Sequence, residues 1–348
     1  VGALYTRRQA HEGTGLVAPL GTFDALQTVG TDFRLGTTTF RRNQQLSASG
    51  YVLKTLNPLT TANNAAWGGS VDYPNDRYVA RMSYREVQAN YNPALGFTLR
   101  NGYRRFAPEV RFQPRPRTPR GRTPFNVQQY QFAVAGDVQY VTATRDLLIR
   151  QWDFTVFQAN LQSQEQLQVH IIPTYEKLDK PFTLAYGIGQ SAVLGRGTEA
   201  SYNRFRVQLR TADRRKLAGT FTYETGSFYT GQRNQIILDT GIRPRRGIVL
   251  YLYSEWNTLD LAQKHFTTRL YRAVLDTQFN PWVQLSNNIQ YDSVSQVMGW
   301  QSRFRWILKP GNDLYVVYNH NWLDDPVRDR FITLDRRASS KVLYTFRY

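Results

Sequence analysis

The 348-residue sequence has no cysteine and only two methionines and four histidines. Without thiols there is neither a disulfide framework nor a cysteine-ligated metal centre, and a chain that crosses an oxidising compartment unfolded has nothing to cross-link. The histidines, His11, His170, His265 and His320, are scattered. None stands at a spacing from a serine or a carboxylate that a catalytic triad or a zinc site requires. Also absent is any run of roughly 20 apolar residues, the length a helix needs to cross a bilayer. The best apolar run, Ile248 to Tyr253, is far shorter, which excludes insertion by helices. No segment carries apolar residues at the sustained three-and-four spacing of an amphipathic helix. The first residue is Val1, with neither Met nor a leader before it, and further sequence upstream is expected.

What is present looks contradictory for a conventional core. Hydrophobic residues make up 41% of the chain and aromatics 14%, including 22 Tyr, yet mean hydropathy is -0.51. A membrane-spanning barrel reconciles these values, because only alternate strand residues meet lipid while their neighbours meet a wet interior. Period-two alternation recurs along the whole chain. Val342, Tyr344, Phe346 and Tyr348 alternate with Lys341, Thr345 and Arg347. Trp300, Phe304, Trp306 and Leu308 oppose Gln301, Arg303 and Arg305, and Phe205, Val207 and Leu209 oppose Arg204, Arg206, Gln208 and Arg210. Such alternation puts one chemistry on each sheet face. A two-sheet sandwich alternates too, so the connections have to discriminate. Tight turns are expected at 41–43, 74–76, 163–165, 212–214, 243–245, 280–281 and 309–312. Longer connections are expected at Ala10 to Phe23, Thr55 to Asn64, Lys177 to Ser201, Asn257 to Phe266 and Leu323 to Ser339, the third and fifth being candidate plugs. The Pro/Arg-rich stretch Pro114 to Pro124 reads as an extended connection on the short-turn side.

The expectation is therefore an all-β fold: one transmembrane antiparallel β-barrel domain over residues 1–348, with about 18 strands (range about 16 to 20), short periplasmic turns, long extracellular loops and both termini periplasmic.

Several stretches carry a resemblance. They are Val1-Gly2-Ala3-Leu4-Tyr5-Thr6-Arg7-Arg8, Ser70-Val71-Asp72-Tyr73-Pro74, Tyr91-Asn92-Pro93-Ala94-Leu95-Gly96-Phe97, Phe266-Thr267-Thr268-Arg269-Leu270-Tyr271, and Trp300 to Trp306 followed by Lys309-Pro310-Gly311-Asn312-Asp313-Leu314. Together they resemble a bacterial outer-membrane β-barrel family of unassigned function that usually follows a periplasmic carbohydrate-binding module similar to family 9. The resemblance covers essentially the whole chain and implies a barrel without an assigned activity. The binding module is absent from this sequence, so no sugar-binding residue carries over. The terminal Val342, Tyr344, Phe346 and Tyr348 resemble the recognition strand by which barrel-assembly machinery identifies its clients.

Few constellations suggest chemistry. Gly187-Ile188-Gly189-Gln190-Ser191-Ala192 matches a dinucleotide-binding glycine pattern, but no helix follows to receive a pyrophosphate. Asp324, Asp325, Asp329 and Asp335 lack the ordered spacing of a calcium loop and are interleaved with Arg328, Arg330, Arg336 and Arg337, so local ion pairing fits better. No catalytic residue, metal ligand or cofactor is expected, and the chain is read as no enzyme.

The net charge of +18 comes mostly from Arg at alternate strand positions and not from one solvated block, which argues against nucleic acid as a partner. Taking polar positions as inward, the candidate pore-lining residues are Arg81, Arg85, Arg105, Arg204, Arg206, Arg272, Arg303, Arg305, Glu224, Glu255 and Asp276. Arg34, Arg111, Arg210, Lys341, Arg347, Asp32, Glu109, Asp137, Asp153, Glu176 and Asp239 belong to the same face. Such a wall favours polar or anionic solutes, unless its charges simply pair with one another. Trp67, Trp152, Trp256, Trp300 and Trp306 are expected to face outward in interfacial girdles. The expected partners are outer-membrane lipid, the assembly machinery and a periplasmic or surface protein. The leading expectation is a pore or gated channel, and the alternative is a plugged barrel that anchors an assembly.

Overall fold

The computed structural model describes residues 1–8, 26–56, 62–116, 126–187, 189–262 and 264–346. Among them there is no α-helix and none long enough to cross a membrane; there are twenty β-strands. Eighteen strands belong to one antiparallel sheet, and two form a separate hairpin, in agreement with the expected class and count. The chain divides into two compact units, the first comprising Val1–Arg115, Gln129–Val156 and Ile172–Asp179, the second Pro116–Gln128, Phe157–Ile171 and Lys180–Tyr348.

In the first unit β1 (Gly2–Arg8), β2 (Leu26–Phe40), β3 (Gln44–Leu56), β4 (Ala65–Pro74), β5 (Tyr78–Val87), β6 (Tyr103–Phe112) and β7 (Val127–Val141) follow one another as an antiparallel meander, each strand paired with the next. β8 (Leu147–Leu161) and β9 (Gln166–Lys177) complete the strands of the first half. β10 (Phe182–Gly187) and β11 (Gln190–Leu194) are the separate hairpin.

The second unit is a meander of β12 (Glu199–Arg210), β13 (Leu217–Phe228), β14 (Gly231–Arg245), β15 (Ile248–Asp260), β16 (His265–Asn280), β17 (Val283–Asp292), β18 (Val297–Lys309), β19 (Asn312–Asp325) and β20 (Arg330–Leu343). The turns rest on residues at positive φ: Arg41 and Arg42 after β2, Gln164 after β8, Gly247 after β14 and Gly311 after β18. Gly247 and Gly311 adopt left-handed backbone without a Cβ clash, whereas Arg41, Arg42 and Gln164 bear its steric cost where two strands must reverse.

The register fixes two coherent faces in each unit. In the first, Phe33, Val52, Trp67, Val71, Met82, Phe106, Val110 and Val134 share one face, and Arg34, Ser49, Ser70, Arg81, Arg85, Arg105 and Glu109 the other. In the second, Phe205, Tyr223, Leu238, Ile289, Phe304 and Val316 oppose a face carrying Arg206, Glu224, Arg272, Arg303 and Arg305. The apolar face is uncovered: Leu35 is 65% exposed, Val52 53%, Phe205 50% and Val316 42%. Burying a side chain of this kind is worth roughly 1.5–3 kcal/mol, and soluble monomers rarely leave contiguous apolar patches above a few hundred Å².

Aromatic residues border the apolar band at both strand ends. Tyr78, Phe112 and Phe132 stack at one end of the first unit, and Tyr84, Phe106 and Tyr140 pack at the other. In the second unit Trp300 packs edge-on to Tyr318 and Trp256 to Tyr271. Trp306 lies six residues beyond Trp300 on β18, about 20 Å at the usual rise of a strand.

Several expected boundaries move. Leu323 to Ser339 is nearly all strand, with only residues 326–329 connecting β19 to β20, and Asn257 to Phe266 reduces to residues 261–264. Their polar residues pair across the extended strands, as Asn321 does with Asp335 and Arg336 with His320, so a loop-like composition was no bar to strand. Leu323 to Ser339 is therefore not a plug. Arg243 to Arg245 belongs to β14, and its turn is displaced to residues 246–247. The terminal alternation ends as strand at Leu343. Beyond it no β19 residue stands opposite, and Thr345 is held instead by Asn312 Oδ1 (2.9 Å) and the Gly311 carbonyl (2.7 Å). Tyr348, Arg347, His11 and the Ala10 to Phe23 connection lie outside the described residues, as does most of Pro114 to Pro124.

One turn also carries a pH-sensitive contact. The hydrogen bond from the Ser163 hydroxyl and the Arg215 guanidinium hold the Glu165 carboxyl down to about 2, below its ordinary 4.5. A depressed carboxylate contributes its full share of stability above its unfolded pKa and loses it as pH falls through the folded one. This contact is thus expected to survive pH 4 and vanish near pH 2. A carbon-13 titration of Glu165 with its midpoint near 4.5 would contradict the pairing.

Candidate functional site: the polar face

The polar face was legible from alternation, and all eleven candidate lining residues lie on it. They fall into separate groups. In the first unit Arg81 pairs with Asp72 (3.0 Å) and Arg105 with Asp137 (2.8 Å), while neither Arg85 nor Arg34 has a carboxylate partner among the described residues.

In the second unit Glu224 is only 3% exposed and receives three guanidiniums: Arg206 at 2.6 Å, Arg204 at 3.1 Å and Arg233 at 3.8 Å. Alternation brings them together, because Arg206 stands directly opposite Glu224, and Arg204 and Arg233 flank Gly226 one position along. Gly226 has φ +148°, and a Cβ there would lie 2.1 Å from the Asn203 carbonyl oxygen. Gly226→Ala is therefore expected to cost about 1–3 kcal/mol in urea unfolding; an unchanged midpoint would refute the close approach. Glu255 accepts from Gln235, Tyr253 and Asn257. Arg305 reaches Asp313 (3.3 Å) and lies over the Tyr315 ring, whereas Arg303 makes no ion pair. Arg272 donates to Asn288 (3.0 Å) and, with Asp276, lines a cavity of about 550 Å³ that also holds Asp239, Tyr251 and Tyr253. Among the described residues Asp239 and Asp276 have no ion-pair partner.

The wall is thus neither uniformly basic nor fully paired. Net positive charge gathers around Glu224 and Arg85, and unpaired carboxylates sit in the cavity beside Tyr251 and Tyr253. Arg233, Asp72, Asp313 and the two tyrosines were missed from the sequence. Counting back by twos from Asp239 reaches Arg233, but Ile237 interrupts the polar series; Tyr251 and Tyr253 sat inside the longest apolar run.

Two segments fold onto the polar face. After β5, Tyr91 and Ala94 are 5% and 2% exposed; Tyr91 packs with Ala66 and Val87, and the Ala94 amide donates to the Thr28 hydroxyl (2.9 Å). This is the Tyr91-Asn92-Pro93-Ala94 stretch noted in the sequence. In the second unit the β10–β11 hairpin, within whose sequence the Gly187 to Ala192 glycine pattern falls, stacks Phe182 on Tyr229, which packs with Phe228 and Tyr202.

The other candidates carry no site chemistry. Asp324 accepts from Tyr291, Asp325 pairs with Arg328 and Asp335 with Asn321, and no metal-binding cluster occurs among the described residues. His170 contacts Gln168 on its own strand. His320 stands opposite Trp300 on the apolar face, stacks on Trp322 and contacts Arg336. All five expected girdle tryptophans occupy the apolar face or its edge, Trp152 lying against Gly136 and Pro108.

No family model and no curated protein matches the chain. Among solved structures it is similar to a point mutant of the ferric enterobactin receptor PfeA from Pseudomonas aeruginosa, with a TM-score of 0.42 and 10% identity over 98% of this chain and 71% of that one.

Proposed function

We propose that the chain is an integral outer-membrane β-barrel that serves as a pore or gated channel for polar and anionic solutes. The observation that carries this reading is the uncovered apolar face of each unit: Val52 and Val71 in the first and Phe205 and Val316 in the second are exposed on one face of their strands, with Arg, Glu and Asp in register on the opposite face. Lipid is the apolar solvent such a sheet requires, and closure would leave no unpaired backbone edge in it. The charged face would then line the water-filled interior, where fixed guanidiniums favour anions. We read both termini as periplasmic, on the side of the turns that follow β2, β14 and β18. The seven tryptophans and the tyrosine clusters suit the two interfaces.

Single-channel recording in planar bilayers tests this. The intact chain is expected to conduct with anion preference, and an Arg303→Ala/Arg305→Ala double variant to lose part of that preference. A chain that never conducts would favour a second reading, a plugged barrel that anchors a partner. The inward packing of Tyr91 and Ala94 and the aromatic seat of the hairpin support that second reading.

A further inference from the structure

Between β3 and β7, three carboxylates of the polar face answer four guanidiniums. Asp72 takes Arg81, Asp137 takes Arg105 and Glu109 takes Arg111. Arg85 is left over. Its cross-strand neighbours are Arg105 on β6 and Gly68 on β4, a like charge on one side and no side chain on the other. Like charges directly opposite one another repel across a sheet, and Arg85 offers five N–H donors in a fixed fork. The register thus builds a position where a negative charge is missing.

The surroundings form a recess. Arg85 and Arg105 line a cavity of about 410 Å³ with Tyr51, Ser49, Ser70 and Ser83, and with Arg81 and Glu109, whose charges are taken up by Asp72 and Arg111. The three serines stand opposite one another on β3, β4 and β5 as a row of hydroxyls. Ser49 and Ser70 are 3.1 Å apart, Ser70 donates to Asp72 (2.7 Å), and Ser83 reaches the Ala107 carbonyl at 3.4 Å, a weak bond that a better acceptor can replace. A Cβ at Gly68 would come within 3.0 Å of the Tyr51 ring, so the glycine lets that ring lie across β4 beside Arg85. One row along the same face, Val87 packs with Ala66 and the buried Tyr91.

We propose that this recess is a binding site for an oxyanion, the carboxylate or phosphate group of a solute, which supplies the missing counter-charge between Arg85 and Arg105. A bidentate contact from the Arg85 fork orients it, the serine row contributes hydroxyls, and the volume admits a small phosphate ester or dicarboxylate. The proposal deepens the pore reading and rests on it only in that the polar face must be wet.

The test is titration calorimetry of the full chain in detergent at low salt, with inorganic phosphate and with succinate separately. One of the two is expected to bind saturably at a single site. Arg85→Gln should weaken it at least tenfold and Arg85→Lys, which keeps the charge but loses the fork, severalfold. Lys309→Gln, which removes one positive charge at a strand end, should bind like the intact chain. Binding of phosphate alone assigns phosphate-bearing solutes, and binding of succinate alone assigns carboxylates. The site is overturned if the intact chain binds neither anion, or if both Arg85 variants bind like the intact chain. Binding in detergent needs no conduction, so a silent bilayer with a working site sinks the pore reading alone, and a conducting chain without binding sinks the site alone.

Discussion

Val316→Arg is expected to destabilise the chain folded in a bilayer by about 2–4 kcal/mol, the cost of a guanidinium near the midplane of a lipid-facing strand. Val316 is 42% exposed on β19, between Phe304 and Ser340 and about midway along the strand between the levels of Trp306 and Trp300. Gln301→Arg, on the polar face of the adjacent β18 between Asn288 and Asn319, is expected to stay within about 0.5 kcal/mol. The contrast is the point. If the apolar face met water, Val316→Arg would be as mild as any surface change, and equal small effects in urea-dependent folding into lipid vesicles would contradict a lipid-facing sheet.

Glu224→Ala is the second large effect. Glu224 is almost fully buried and is the shared acceptor of Arg204, Arg206 and Arg233. Removing one member of a buried charge cluster leaves the others desolvated and uncompensated, at a cost of about 3–5 kcal/mol. The lower end applies here, because Arg206 is about one-third exposed and can rehydrate. A double-mutant cycle with Arg206→Gln should show coupling above about 1 kcal/mol, since removing the guanidinium relieves part of the excess charge. Additive effects would mean that the cluster is a surface ion pair and not an organising centre of this wall.

These residues also show what the sequence could reveal. A strand's side-chain period is two, so Arg204, Arg206, Arg303 and Arg305 declared their shared face once the strands were recognised, and the apolar series through Phe304 and Trp306 declared the other. Strand number followed from turn chemistry. Loop length did not, because Asp324 to Arg337 has the composition of a solvated loop while its charges find partners across β19 and β20. Which charges neutralise one another was equally hidden. Arg85 and Arg105 look alike in sequence, and only the register shows that Asp137 lies within reach of one and not the other. The inward fold of Tyr91 depends on the apolar row Leu53, Ala66, Val87 and Tyr103, which interrupts the polar face at its far end and had no periodic signature.

The central claim is that the apolar face meets lipid, and the tryptophans report on it directly. All seven avoid the polar face: six sit on strands, and Trp282 lies in the turn after β16. The most direct measurement is tryptophan fluorescence of the chain in vesicles whose acyl chains carry bromine near the headgroups, against quenching by aqueous acrylamide. The account predicts strong quenching by the brominated lipid and little by acrylamide; the reverse order would place this face in water and contradict the barrel.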